Sequence, residues 1–135
     1  MLMIEIVNPK PYDLEERTMK YAKDVIGFVG LCPKTLVNTE LIKQIVRSSG
    51  SVGANYIESR ESLGKKDQAM RIRICRKEVK ESRYCLQLFE VRCQAVEEKR
   101  KALINESSEL LRIFTSIIEK IKWAGIISWN LIIGT

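Results

Sequence analysis

Between Ile72 and Val96 one set of side chains recurs at alternating steps of three and four: Ile72, Cys75, Val79, Ser82, Leu86, Phe89, Cys93 and Val96. At 3.6 residues per turn, these steps hold a single stripe on one side of an α-helix. All but Ser82 are apolar or thiol, so the stripe has to be covered by something else. The spacing predicts a helix over about Lys66 to Glu97. About thirty residues at 1.5 Å each make a rod of roughly 45 Å. A rod that long cannot bury its own stripe, and the rest of the chain has to supply partners of similar length.

Three other segments have the required pattern. Asp13 is a good N-cap, with Glu16 three residues on as a capping box. From there a first helix is expected to about Gly30, with an inner stripe of Leu14, Thr18, Tyr21, Val25 and Phe28, widened by Ala22 and Val29. Gly30 and Pro33 end it. A second helix is expected from near Asn38 or Thr39, with Ile42, Ile45, Ser49, Val52 and Tyr56 inward. The stretch Ser48-Ser49-Gly50-Ser51-Val52-Gly53 is poor helix sequence, since each glycine costs about 1 kcal/mol against alanine. The stripe keeps its phase through it, so a continuous helix is expected, with small residues that let a neighbouring backbone come close. Gly64-Lys65-Lys66 marks the next turn. A fourth helix is expected over about Lys101 to Lys122, with Leu103, Ser107, Leu110, Phe114, Ile117 and Ile121 inward, flanked by Leu111 and Ile118.

Four amphipathic helices with short connections favour antiparallel neighbours. The expected fold is all-α, an up-down-up-down four-helix bundle over residues 13–122. An N-terminal extension, 1–12, and an apolar tail, 123–135, flank it. The tail carries no charged residue. Residues 2–7 and 126–133 are strand-like and would lie at the same end of the bundle, where they could pair. The alternative is a last helical turn followed by a tail lying on the bundle.

Composition narrows the function classes. A chain of 135 residues with 45% hydrophobic and 30% charged residues fits one soluble domain. No stretch approaches the roughly 20 apolar residues of a membrane span, and the first residues lack the basic region and cleavage site of a secretion signal. Cys32, Cys75, Cys85 and Cys93 form no CxxC pair, and Cys75 and Cys93 sit on the apolar stripe. Reduced, structural thiols and a cytoplasmic location are expected. A four-thiolate zinc site is disfavoured by the spacings of ten and eight residues between the last three cysteines. There is no histidine, which removes the commonest general base and metal ligand. Gly50 and Gly53 are not followed by the lysine of a phosphate-binding loop. No enzyme activity, cofactor or metal is expected.

Two stretches are recognisable. One is Arg47-Ser48-Ser49-Gly50-Ser51-Val52-Gly53-Ala54-Asn55-Tyr56-Ile57-Glu58-Ser59, and the other runs from Arg71 through Lys77-Glu78-Val79-Lys80-Glu81-Ser82-Arg83-Tyr84. Together they resemble the small four-helix-bundle family named for proteins encoded in intervening sequences of 23S ribosomal RNA genes. The similarity runs from about Asp13 to Lys122. The resemblance implies an antiparallel four-helix bundle and self-assembly, with a pentamer the leading expectation. A related branch comprises the accessory proteins of diversity-generating retroelements. It implies RNA or DNA, and a reverse transcriptase or other protein, as partners. This chain departs from the pattern at Cys85, where the family has a large aromatic, and in its apolar tail.

Charge is concentrated on the third helix. Residues 65–83 hold eight cations against three carboxylates, a net +5 of the chain's +6. Clustered cations suit phosphate binding, because counterion release supplies affinity, and arginine grips phosphate with two parallel hydrogen bonds. The candidate nucleic-acid-binding residues are Arg71, Arg73, Arg76, Lys77, Lys80 and Arg83. The competing explanation is a solvated face with internal ion pairs. Arg47, Ser51, Gly53, Asn55, Glu58, Glu78, Glu81 and Tyr84 form a second group, read as a helix-contact or partner patch, with Glu78 and Glu81 expected to pair with Arg47 or neighbouring basic residues. Aromatics other than Tyr84 do not interleave with the basic stripe, so a stacking platform for single strands is not expected, and contact through backbone phosphates with little sequence preference is. An adaptor without nucleic-acid binding is the alternative function.

Overall fold

A computed structural model describes the chain from residue 13 to residue 133, with side chains to residue 125. Four helices follow one another: α1 (Leu14–Leu31), α2 (Leu36–Arg60), α3 (Lys65–Leu88) and α4 (Gln94–Ile133). They form an antiparallel bundle in which each helix packs on its neighbours in sequence, and α4 closes the ring against α1. Asp13 caps α1 by accepting the Glu16 amide at 2.8 Å.

The long stripe is the spine of the core. Ile72, Cys75, Val79, Ser82, Leu86, Phe89 and Val96 are all buried, together with Leu14, Tyr21, Val25 and Phe28 from α1, Ile45, Val52 and Tyr56 from α2, and Leu103, Leu110 and Phe114 from α4. The hydroxyls inside are paired, as burial requires. Ser82 on the stripe meets Ser48 of α2 at 2.7 Å. Tyr21 of α1 meets Ser107 of α4 at 2.7 Å, and burial pushes the tyrosine up to about 12.

The expected single rod from Lys66 to Glu97 is two helices. α3 stops at Leu88, Cys93 is exposed in the connection, and Val96 belongs to α4. Side chains from elsewhere make the stop. Arg100 donates from Nη1 to the carbonyls of Leu86 at 3.2 Å and Phe89 at 2.7 Å, which a helix end leaves open. Asn38, fully buried on α2, donates from Nδ2 to the Glu90 carbonyl at 3.0 Å and accepts the Glu90 amide at 2.9 Å. Asn38 is therefore a clamp on the α3–α4 connection. The cap of α2 is Thr35, which accepts the Asn38 amide at 3.1 Å. α4 also starts earlier and ends later than expected. Residues 126–133 are helical, so the expected strand there is not formed: α4 runs through them, and no strand is found among the described residues to pair with. The expected strand over 2–7 lies outside the described residues.

One buried ion cluster was not anticipated. Arg17 of α1 is 1% exposed. Its Nε meets Glu106 at 2.7 Å and its Nη2 meets Glu109 at 3.0 Å, both on α4. Both carboxylates hold the guanidinium in its charged form, raising its pKa despite burial. The cluster joins the two ends of the ring of helices.

α2 runs unbroken through its glycines, as the phase of its stripe required. They are not equivalent. A Cβ at Gly53 would stand 3.0 Å from the Thr18 hydroxyl of α1, which is itself held by its bond to the Glu15 carbonyl at 3.0 Å. A Cβ at Gly50 meets nothing within 4 Å. Gly53→Ala is expected to destabilise the fold by about 1 kcal/mol through overpacking. Gly50→Ala should stabilise it by about 0.5–1 kcal/mol through helix propensity. Urea denaturation of the two variants checks the opposite signs.

Candidate functional site

α3 separates its charges by face. Its carboxylates Glu78 and Glu81 point to α2, where Arg47 takes both. Arg47 Nη1 donates to Glu78 at 3.0 Å and Nη2 donates to Glu81. Glu78 is 6% exposed and its Oε1 has no hydrogen-bond partner among the described residues, so Arg47 is its main compensation. The expected pairing of Glu78 and Glu81 with Arg47 is what forms.

The cations point elsewhere. Arg73, Lys77 and Lys80 are exposed, and Arg76 and Arg83 are half-buried at the α4 side. Arg83 donates to the Ser108 hydroxyl at 3.2 Å. Among the described residues none of these five stands within ion-pair distance of a carboxylate. The face is solvated, and the internal ion pairs that the competing explanation expects for these five cations are not formed among the described residues. Arg112 of α4 was not singled out from sequence. It is exposed one turn beyond Ser108.

Two sequence groupings are revised. Arg71 is not on the outward basic face. It lies at the α2 side, donating to Asn55 Oδ1 at 3.2 Å, because five residues from Arg76 on a helix carry it well round the axis. Tyr84 is not part of the patch with Asn55 and Glu78. It is 63% exposed and stands among the cations, in a cleft with Lys80 and Arg83. The remaining members divide. Asn55 donates to the Ser51 carbonyl and hydroxyl, each at 2.9 Å. Gly53 faces α1, and Glu58 is exposed.

The thiols are not placed as metal ligands. Cys32, Cys75 and Cys85 are buried and apart from the exposed Cys93, and among the described residues no group of three or more potential ligands could hold a metal ion. Burial pushes Cys75 up to about 12 and raises Cys32 and Cys85, which suits packing rather than reaction. No described helix is long and apolar enough to cross a membrane. A second groove, between α1 and α4, mixes Lys20, Lys23 and Lys99 with Asp24 and Glu106, and Lys20 is paired with Asp24. It offers no one-signed surface.

A family model described as 23S rRNA-intervening sequence protein matches residues 11–116. The chain belongs to that family. A similar solved structure is a protein of unknown function from the S23 ribosomal protein family of Bacteroides thetaiotaomicron VPI-5482. It is 28% identical, with a TM-score of 0.63, over 77% of this chain and 96% of that one. No curated protein matches. The family segment ends within α4, so the apolar end of that helix lies beyond what the family model describes.

The Arg47 pairing is tested by removing the cation. Arg47→Ala is expected to destabilise the protein by about 1–3 kcal/mol, because it leaves the buried Glu78 charge unmatched. Glu78→Gln added to that variant should recover part of the loss. Chemical denaturation of the two single variants and the double variant measures the coupling.

Proposed function

We propose that this family member is a non-enzymatic, self-associating protein that binds RNA or DNA through the phosphate backbone, with low sequence specificity, as an accessory in the cytoplasm. The observation that carries this reading is the unmatched positive face: Arg73, Arg76, Lys77, Lys80 and Arg83 with no carboxylate partner among the described residues. Cations left free in this way exchange their counterions for phosphates without first breaking ion pairs. The resemblance to pentameric relatives supports self-assembly, which would repeat the face around a ring and multiply its grip. A reverse transcriptase or another protein is a further partner class that the resemblance supports.

A second reading has its own observation. Met19 and Ile26 on α1, with Val46 and Ile57 on α2, are 40–55% exposed. The contacts of Thr18 with Gly53 and of Arg60 with Glu15 set these side chains along the same outer groove. An adaptor that holds a protein partner, with its charge serving solubility, would use that groove.

Salt separates the two. If about five phosphates are neutralised, affinity for a nucleic acid falls by roughly 10²–10³ between 50 and 200 mM salt. Changing Arg73, Arg76 and Lys80 together to Glu should abolish the gel shift while the circular dichroism spectrum and melting temperature hold. The absence of any shift at 50 mM salt would end this reading. A protein partner retained by the charge-reversed variant would favour the adaptor.

A further inference from the structure

The cleft between α3 and α4 holds more than phosphate binding requires. It is an open surface cleft of about 450 Å³ lined by Lys80, Arg83, Tyr84, Gln87, Ile104 and Ser108. Tyr84 is 63% exposed, so a broad aromatic ring is left to water at the mouth. Ile104 is half-buried and packs against the core, which gives the cleft an apolar wall. Lys80 precedes Tyr84 by one helical turn and Arg83 adjoins it, with the arginine positioned by its bond to Ser108 at 3.2 Å. Gln87, one turn after Arg83, brings both a donor and an acceptor. No carboxylate lines the cleft.

An open π-face, an apolar wall, an amide and two cations, one of them held by Ser108, together match a nucleotide unit. A base stacks on an aromatic ring whatever its identity, while the adjoining phosphates meet Lys and Arg. A base within a duplex cannot use such a ring, since its faces are covered by its neighbours and sequence-reading side chains reach RNA chiefly at unstacked bases. We propose that this cleft is a base-stacking subsite, with Tyr84 carrying one unpaired base and Lys80 and Arg83 its flanking phosphates, so that the protein prefers single strands to duplex. This rests on the nucleic-acid reading above and adds where on the face, and in which form, the polymer is held.

The experiment is fluorescence anisotropy at 50 mM salt with the full chain and labelled oligonucleotides of roughly 20 nucleotides, enough to cover a site of ordinary size. The probes are single-stranded RNA, single-stranded DNA of the same sequence, and the duplex of each. Single strands are expected to bind more tightly than duplexes. Tyr84→Ala should weaken single-strand binding roughly tenfold and leave duplex binding unchanged, while Tyr84→Phe keeps the ring and the affinity. Dependence on Tyr84 for either single strand supports the subsite and shows which sugar it accepts. Equal losses for single strand and duplex, or no loss for either, overturn the subsite and leave backbone binding standing. No binding of any probe removes the nucleic-acid reading with it. Tyr84 is exposed, so an unchanged melting temperature verifies that the variants are folded.

Discussion

The arrangement of this molecule depends on where α3 puts its opposite charges. Arg47 of α2 collects Glu78 and Glu81 on one flank of that helix. A helix carrying carboxylates three or four positions from its cations would ordinarily satisfy them internally. Here the neighbouring helix supplies the partner instead, and the cations on the other flank are left without one among the described residues. A single arginine on α2 therefore does two things. It compensates a buried carboxylate, and it leaves α3 with a face of one sign.

The same principle, side chains completing one another across helices, recurs through the fold. Arg17 bridges α1 to Glu106 and Glu109 of α4. Asn38 of α2 holds the backbone of Glu90, and Arg100 of α4 caps the end of α3. These contacts set the register of helices whose apolar stripes alone would tolerate sliding, because hydrophobic burial is non-directional. The outward cationic face of α3 is built on this register. In the cleft between α3 and α4, Arg83 reaches Ser108 across the two helices.

Much of this was legible in the sequence, because periodicity reports directly on which side of a helix is buried. The stripe from Ile72 and the phase of α2 through Gly50 and Gly53 follow from spacing, while for Glu78 and Glu81 the sequence left Arg47 and the neighbouring basic residues both open and the structure selects Arg47. What was not legible has a common cause. The stop after Leu88 depends on Asn38 and Arg100, which are distant in sequence, while the stripe itself continues in phase through the connection to Val96. The helical path of residues 126–133 contradicts a strand reading that rested on β-branched composition, and such short apolar runs fit either structure. Arg71 and Tyr84 were grouped by their neighbours in sequence, although on a helix they face opposite sides. Arg17 had a visible signal, since it borders the arc of Leu14, Thr18 and Tyr21. A charge bordering an apolar arc implies a partner, and Glu106 and Glu109 border Ser107 and Leu110 on the stripe of α4. Nothing in one segment alone could pair them.

The central claim is that the outward face of α3 is where a polyanion rests. Lysine acetylation of the protein with and without bound single-stranded RNA, read by mass spectrometry, locates that contact residue by residue. Lys77 and Lys80 should become protected, while Lys20, Lys23 and Lys43 on α1 and α2 keep their reactivity. Protection of the α1 and α2 lysines with Lys77 and Lys80 still reactive would contradict the account.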